Sequence, residues 1–198
     1  LFRSKARLHL QPRAIELGLV MISGSEVVAR ADWLFNPGVK LEPIITKITG
    51  LTDDDLRDKP TIGDCMPAIK QFFRDADGLV AHNLPFDRAI LTHELERLGE
   101  TEFPWPRHLI CTAQLHQEQW GRRPKMLELY QEVMGRPLAQ THRALDDCDA
   151  LAEIVIALNL EGVYDEAQKI PSRQNAVPRS EEHTAELQSR LHFVCRLL

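Results

Sequence analysis

The run GLVAHN, Gly78 to Asn83, passes without an intervening loop into LPFD, and this junction restricts the fold more than any other stretch of the chain. Gly78 to Asn83 is short and apolar, as a strand buried on both faces must be. Pro85 is tolerated in a helical first turn, and Asn83 stands where a cap belongs. A strand that feeds a helix directly belongs to an α/β sheet, whose strand ends face ligand space. Asp87, in the first turn of that helix, can therefore reach over the end of the strand Leu79 to His82. An ordinary acidic residue, favoured by the positive end of the helix, explains it equally well.

The surrounding pattern agrees with an α/β fold. Ala14 to Ile22 is β-rich and apolar, and Glu26 to Phe35 alternates after the turn SGS, which reads as an antiparallel hairpin. A further strand is expected before Ala14. Pro43 to Gly50 and Thr52 to Asp58 are short helical pieces, with Thr52 placed as a cap. From Thr61, the apolar positions Cys65, Met66, Ile69, Phe72, Phe73 and Ala76 share one helical face. His108 to Ala113 reads as another buried strand, Met126 to Met134 as an amphipathic helix ended by Gly135, and Thr141 to Leu158 as a long final helix.

Composition excludes some classes. With 198 residues and 43% apolar content the chain can build one core. Cys65, Cys111, Cys148 and Cys195 show no C-x-x-C spacing, so reduced, packed thiols are expected in place of a zinc site or a disulfide framework. No signal peptide or membrane-length apolar run is present, which implies no membrane partner and a cytoplasmic location. The net charge of -5 argues against gripping nucleic acid through a broad basic surface. It leaves room for a nuclease whose acidic residues bind cations that then meet phosphate.

The helix near the end carries a second acidic group that geometry can sort. With Ala144 at zero and about 100° per residue, Ala144, Cys148, Leu151, Ala152 and Val155 fall between about -20° and 80°. Asp147 falls at about -60°, against Asp146 at about -160° and Asp149 at about 140°. Asp147 alone flanks the buried face, where a carboxylate needs a partner or a metal; Asp146 and Asp149 read as solvated charges. His142, at the loop-to-helix junction beside a potential Thr141 cap, is either plain surface or a general base.

HN-x-x-FD at His82 to Asp87 and H-x-A-x-x-D at His142 to Asp147, about 60 residues apart, resemble motifs II and III of the DEDDh 3′-to-5′ exonucleases. That group includes the proofreading epsilon subunit of bacterial replicative polymerase. The likeness runs from about Gln11 to Gly162 and takes in IELG at Ile15 to Gly18, ITKITGLT at Ile45 to Thr52 and CTAQL at Cys111 to Leu115. It implies an α/β, ribonuclease-H-like mixed sheet, an antiparallel meander followed by βα units, flanked by helices, with the first strand altered or missing. By the same resemblance Asp87 and Asp147 are catalytic metal ligands and His142 is the general base. His82, Asn83 and Phe86 would shape the site around the terminal nucleotide. Two Mg²⁺ or Mn²⁺ ions are the implied cofactors. The implied partners are single-stranded nucleic-acid 3′ ends, DNA favoured, together with a DNA polymerase subunit.

The pattern also requires a D-x-E pair on a strand just before IELG, and Leu1 to Pro12 holds no Asp or Glu. Arg3, Lys5 and Arg7 stand there instead, and Glu16 lies too far along to replace the pair. Truncation or a reading-frame error at the start is the favoured account; a natural pseudoenzyme is the other. RSEEHTAELQS (Arg179 to Ser189) followed by VCRLL (Val194 to Leu198) resembles the conceptual translation of a sequencing-library adapter. The expected organisation is therefore an exonuclease domain at 1–165 with an aberrant stretch at 1–12, a linker or tail at 166–178, and a non-native tail at 179–198. The expected activity is 3′-to-5′ hydrolysis of single-stranded DNA ends, with this literal chain inactive or nearly so. A catalytically dead nucleic-acid or polymerase-binding module, and an RNA-trimming exoribonuclease, are the alternatives.

Overall fold

The computed structural model describes residues 5–139, 142–160 and 191–197, with backbone alone for 5–7 and 191–197. The expected linker at 166–178 and the Thr141 cap lie outside the described residues. The hairpin forms as expected: β1 (Glu16–Ser23) pairs antiparallel with β2 (Glu26–Leu34), with a register shift between Met21 and Ile22. Two short helices follow, α1 (Pro43–Thr49) and α2 (Asp53–Leu56), with Gly50 left-handed at φ 74° between them and a Thr52–Asp55 capping box. Then come α3 (Ile62–Arg74), β3 (Gly78–Ala81), α4 (Leu84–Leu98) and β4 (His108–Cys111). Single turns α5 (Thr112–Leu115) and α6 (Gln117–Trp120) lead to α7 (Met126–Met134) and α8 (Ala144–Ala157).

The sheet is mixed, in the order β2-β1-β5-β3-β4, where β5 is Leu191–Leu197. β5 runs antiparallel to β1 and parallel to β3, so it completes the ladder between the hairpin and the βα unit. One expectation changes here. No strand precedes Ala14 among the described residues; Lys5–Leu10 is a six-residue 3₁₀ helix instead. Its surroundings explain why. Arg97 on α4 donates to the carbonyls of Leu8, Gln11 and Pro12, and the Ala14 amide donates to Glu94 at 3.0 Å, so this segment satisfies its backbone on a helix instead of in a ladder. The central strand Leu191–Leu197 falls within the stretch expected to be a non-native tail at 179–198, of which 179–190 lie outside the described residues. LHFVCRL is rich in residues that suit a strand, and a ladder open on both sides accepts such a segment through backbone bonds alone.

Because successive strand residues face opposite ways, β1 and β3 feed two cores. Leu17, Leu19, Met21, Leu79 and Ala81 pack towards α3 and α4, with Phe73 at the centre of an aromatic cluster that includes Phe103 and Trp105. Val20, Ile22 and Val80 pack towards α7 and α8. The result is three layers, helices on both faces of the sheet. Trp33 meets Phe72 edge-on at 5.9 Å, so it belongs to the packing of the first core. Cys65, Cys111 and Cys148 are free thiols, as expected.

Two residues of IELG fix α8 on the sheet. Glu16 and Gly18 share the strand face that looks at α8. At Gly18 a Cβ would stand 2.5 Å from the Ala144 carbonyl carbon and 2.6 Å from the Leu145 nitrogen, both backbone atoms that cannot swing aside. Cys148 Sγ donates to the Gly18 carbonyl at 3.1 Å. Glu16, fully buried, accepts from Arg143 Nε at 2.9 Å, which ties the start of β1 to the residue that begins α8.

Two outcomes follow from this anchoring. Gly18→Val forces the first turn of α8 off the sheet and is expected to cost about 3 kcal/mol by chemical denaturation, the upper end for overpacking; a loss of a few tenths would show that α8 slides freely. The second concerns acid. Burial pushes the Glu16 carboxyl above its ordinary value, while Arg143 pulls it back. Stability from a raised carboxyl is fully present below its unfolded value and is lost as the pH climbs through the folded one. Glu16→Gln should therefore flatten the fall in stability as the pH climbs above the ordinary carboxylate value, and an unchanged slope would assign that dependence to other groups.

Candidate active site

Asp147 lies one turn into α8, a position that the helix geometry singles out. It is 6% exposed, whereas Asp146 is exposed and Asp149 is half-exposed and paired with Arg30 at 2.7 Å. The helical-wheel argument thus sorts the three carboxylates as the structure does. Next to them, burial raises the Asp32 carboxyl, with Arg143 lowering it and Asp146 adding to the rise. Arg143 therefore serves two carboxylates of the hairpin at the point where α8 starts.

His142, just before Arg143, has φ 56°, a left-handed conformation that a residue with a side chain adopts at a cost. Its neighbour's bond to buried Glu16 holds that turn in place. His142 is exposed and, with Asp147, lines a cavity of about 650 Å³. His82, Asn83, Arg123, Pro124 and Lys125 line the same cavity. The structure thus brings together His82, Asn83, His142 and Asp147, residues about 60 positions apart in the chain.

Asp87 is 2% exposed in the first turn of α4 and is not part of the cavity wall; Phe86 beside it is 43% exposed and is not part of it either. Asn83 reaches the cavity through an unexpected conformation. It is left-handed at φ 73° and makes no side-chain cap to α4, so its amide serves the cavity and not the helix end. Both ring nitrogens of His82 are engaged, Nδ1 with Thr112 Oγ1 and Nε2 with the Pro124 carbonyl, each at 2.9 Å. A carbonyl only accepts, so Nε2 carries the hydrogen and Nδ1 accepts from the Thr112 hydroxyl. His82 therefore acts as a brace between the end of β4 and the loop before α7. Sequence reasoning missed this role, as it missed Thr112 and Pro124; CTAQL was a signal for the first, and nothing in the sequence marked the second.

Hard divalent cations need several oxygen ligands converging on one point. Among the described residues no group of three or more His, Cys, Asp and Glu side chains converges in that way. Asp87 and Asp147 are buried, Asp147 alone of the two lies on the cavity wall, and the central strand LHFVCRL brings no acidic residue. The donor set present does not fit a two-cation centre.

Known proteins share this architecture. The exonuclease family model matches residues 7–155, three quarters of the chain. The PolC-type DNA polymerase III of Caldanaerobacter subterraneus is 31% identical over 170 residues, 85% of this chain and 12% of that polymerase. The corresponding protein of Bacillus subtilis is 29% identical over 180 residues, 87% of this chain and again 12% of the polymerase. The chain therefore spans about an eighth of the length of these relatives. Among solved structures, exonuclease X in complex with 5′-overhanging duplex DNA superposes with a TM-score of 0.57 at 26% identity, covering 75% of this chain and 84% of that one. Given the match over residues 7–155 and a mixed sheet flanked by helices as in that neighbour, the chain belongs to the exonuclease family, the 3′-to-5′ exonuclease domains of ribonuclease-H-like fold.

Proposed function

We propose that this domain removes nucleotides from the 3′ ends of single-stranded nucleic acid, DNA favoured, and that the 198-residue chain as it stands is inactive or nearly so. The observation that carries the first half is the shared cavity of His142, Asn83 and the buried Asp147. An exposed imidazole held at a strained turn is free to take a proton from water within reach of the cavity, which suits the general-base role. The observation that carries the second half is the donor set. Exonucleases of this family use divalent metals, and Mg²⁺ or Mn²⁺ at Asp87 and Asp147 is our assignment; with those two carboxylates alone, retention of either ion is weak.

Association with a DNA polymerase is part of the proposal, supported by the PolC-type relatives, whose sequences contain a matching segment. We likewise assign 179–198 to adapter-derived sequence, on the residues themselves and not on their packing. A dead nucleic-acid-binding module remains the second reading, favoured by the acid-free central strand.

The test uses a 5′-labelled oligodeoxynucleotide with Mg²⁺ or Mn²⁺. The chain as it stands is expected to release no more product than its Asp147→Asn form, and a version carrying a D-x-E strand ahead of Ala14 is expected to shorten the label from the 3′ end until EDTA is added. Robust, EDTA-sensitive hydrolysis by the unaltered chain that vanishes on Asp147→Asn would sink the inactivity claim. A restored version that binds cations yet shortens nothing would decide for the binding module.

A further inference from the structure

The cavity has a basic wall that neither the motifs nor the family match accounts for. The loop between α6 and α7 carries Arg122, Arg123 and Lys125, and these three cations are held differently. Arg122 is committed: its two terminal nitrogens donate to the Glu128 carboxylate at 2.8 and 2.7 Å, and its guanidinium covers Trp120 at 5.7 Å. That pair of hydrogen bonds, helped by the Lys125 backbone amide and more weakly by the charges of Arg122 and Lys125, pulls the Glu128 carboxyl down to about 2. Arg123 donates through Nε only to the neutral amide of Gln117, at 3.1 Å, and Lys125 meets Glu128 through its backbone amide. Among the described residues, neither the Arg123 nor the Lys125 side chain forms an ion pair with a carboxylate.

Arg123 and Lys125 line the cavity together with His142 and Asp147, and the residue between them is fixed. Pro124 is buried, its φ is set by its ring, and its carbonyl receives the His82 Nε2 hydrogen. His82 is in turn held by Thr112, which has no exposed surface. The pinned proline fixes the backbone that carries the two cations, so an anion arriving between them has only their side chains left to order. A chain of net charge -5 that places the buried Asp147 carboxylate on its cavity wall needs local positive charge if a polyanion is to stay there.

We propose that Arg123 and Lys125 form a phosphate clamp for the single-stranded nucleic-acid backbone leading into the cavity, with His82 as the positioning residue that holds the clamp through Pro124. The inference rests on the proposed function for the identity of the ligand, and it adds the residues that grip it. Arg122 is a spectator whose charge Glu128 already uses.

Binding separates this inference from hydrolysis, because it is measured without cations. A 5′-fluorescein oligothymidylate of about 12 nucleotides, in EDTA, is titrated with the full chain over a range of salt, and anisotropy gives the affinity. Arg123→Ala with Lys125→Ala is expected to weaken binding at least tenfold and to flatten the plot of log affinity against log salt by about 1.4, the slope of two single-strand phosphate contacts. Arg122→Ala is expected to stay within about twofold. His82→Ala, with its fold checked by circular dichroism, is expected to weaken binding several-fold while the salt slope holds, since the cations remain and only their placement loosens. Oligouridylate binding as tightly as oligothymidylate would show that the clamp reads phosphate and not sugar. Wild-type affinity and slope in the double variant, or no binding by the unaltered chain, would overturn the clamp. Neither result touches the hydrolysis experiment, whose restored version reports on the carboxylates alone.

Discussion

The contact between Gly18 and the first turn of α8 sets the geometry of everything around it. Helix backbone rests directly on strand backbone, with Ala144 and Leu145 atoms occupying the space where a side chain would begin. Such an approach is open only to glycine, and here the reason is distance and not a special dihedral. Two residues earlier on the same strand face, Glu16 receives the Arg143 guanidinium. One contact thus sets the height of the helix over the sheet, and the other sets where it starts. A buried ion pair is poor evidence for net stability, because desolvation of both charges offsets their attraction. Its value here is positional: it ties the residue after the left-handed His142 to the start of β1, one turn before Asp147 on the cavity wall.

Much of this was legible in the sequence, and the limit is physical. Features set by residues near each other in the chain could be read directly. The capping role of Thr52, the apolar face of α3 and the selection of Asp147 over Asp146 and Asp149 all depend on local periodicity, and all agree with the structure. Features set by distant partners could not. Nothing in Lys5 to Leu10 announces that Arg97, nearly ninety positions on, will capture its carbonyls, and a strand was the simpler expectation. The same applies to His82. Nothing near His82 in the chain announces that its two ring nitrogens will meet Thr112 and Pro124, 30 and 42 residues away.

The central strand separates what makes the fold from what makes the chemistry. A ladder is satisfied by backbone groups, so an extended segment of suitable propensity fills the gap between β1 and β3 whatever its side chains do. A cation site has no such tolerance, since its ligands must be oxygen donors at fixed places. The chain can therefore keep the layers, the hairpin and the βα unit of an exonuclease while, among the described residues, no group of three or more His, Cys, Asp and Glu side chains converges on one point.

The two buried carboxylates are themselves informative. Burying a carboxylate costs free energy even when partners compensate part of it, and Asp87 and Asp147 are both nearly inaccessible at the ends of elements that leave room for solvated alternatives. Asp146, one residue from Asp147, shows how readily this helix exposes an acid. An arrangement chosen for stability alone would place apolar residues at both positions. Burial of this kind suits a requirement other than folding, and the proposed clamp gives it a direction: a polyanion held by Arg123 and Lys125 would reach Asp147 on the wall of the same cavity.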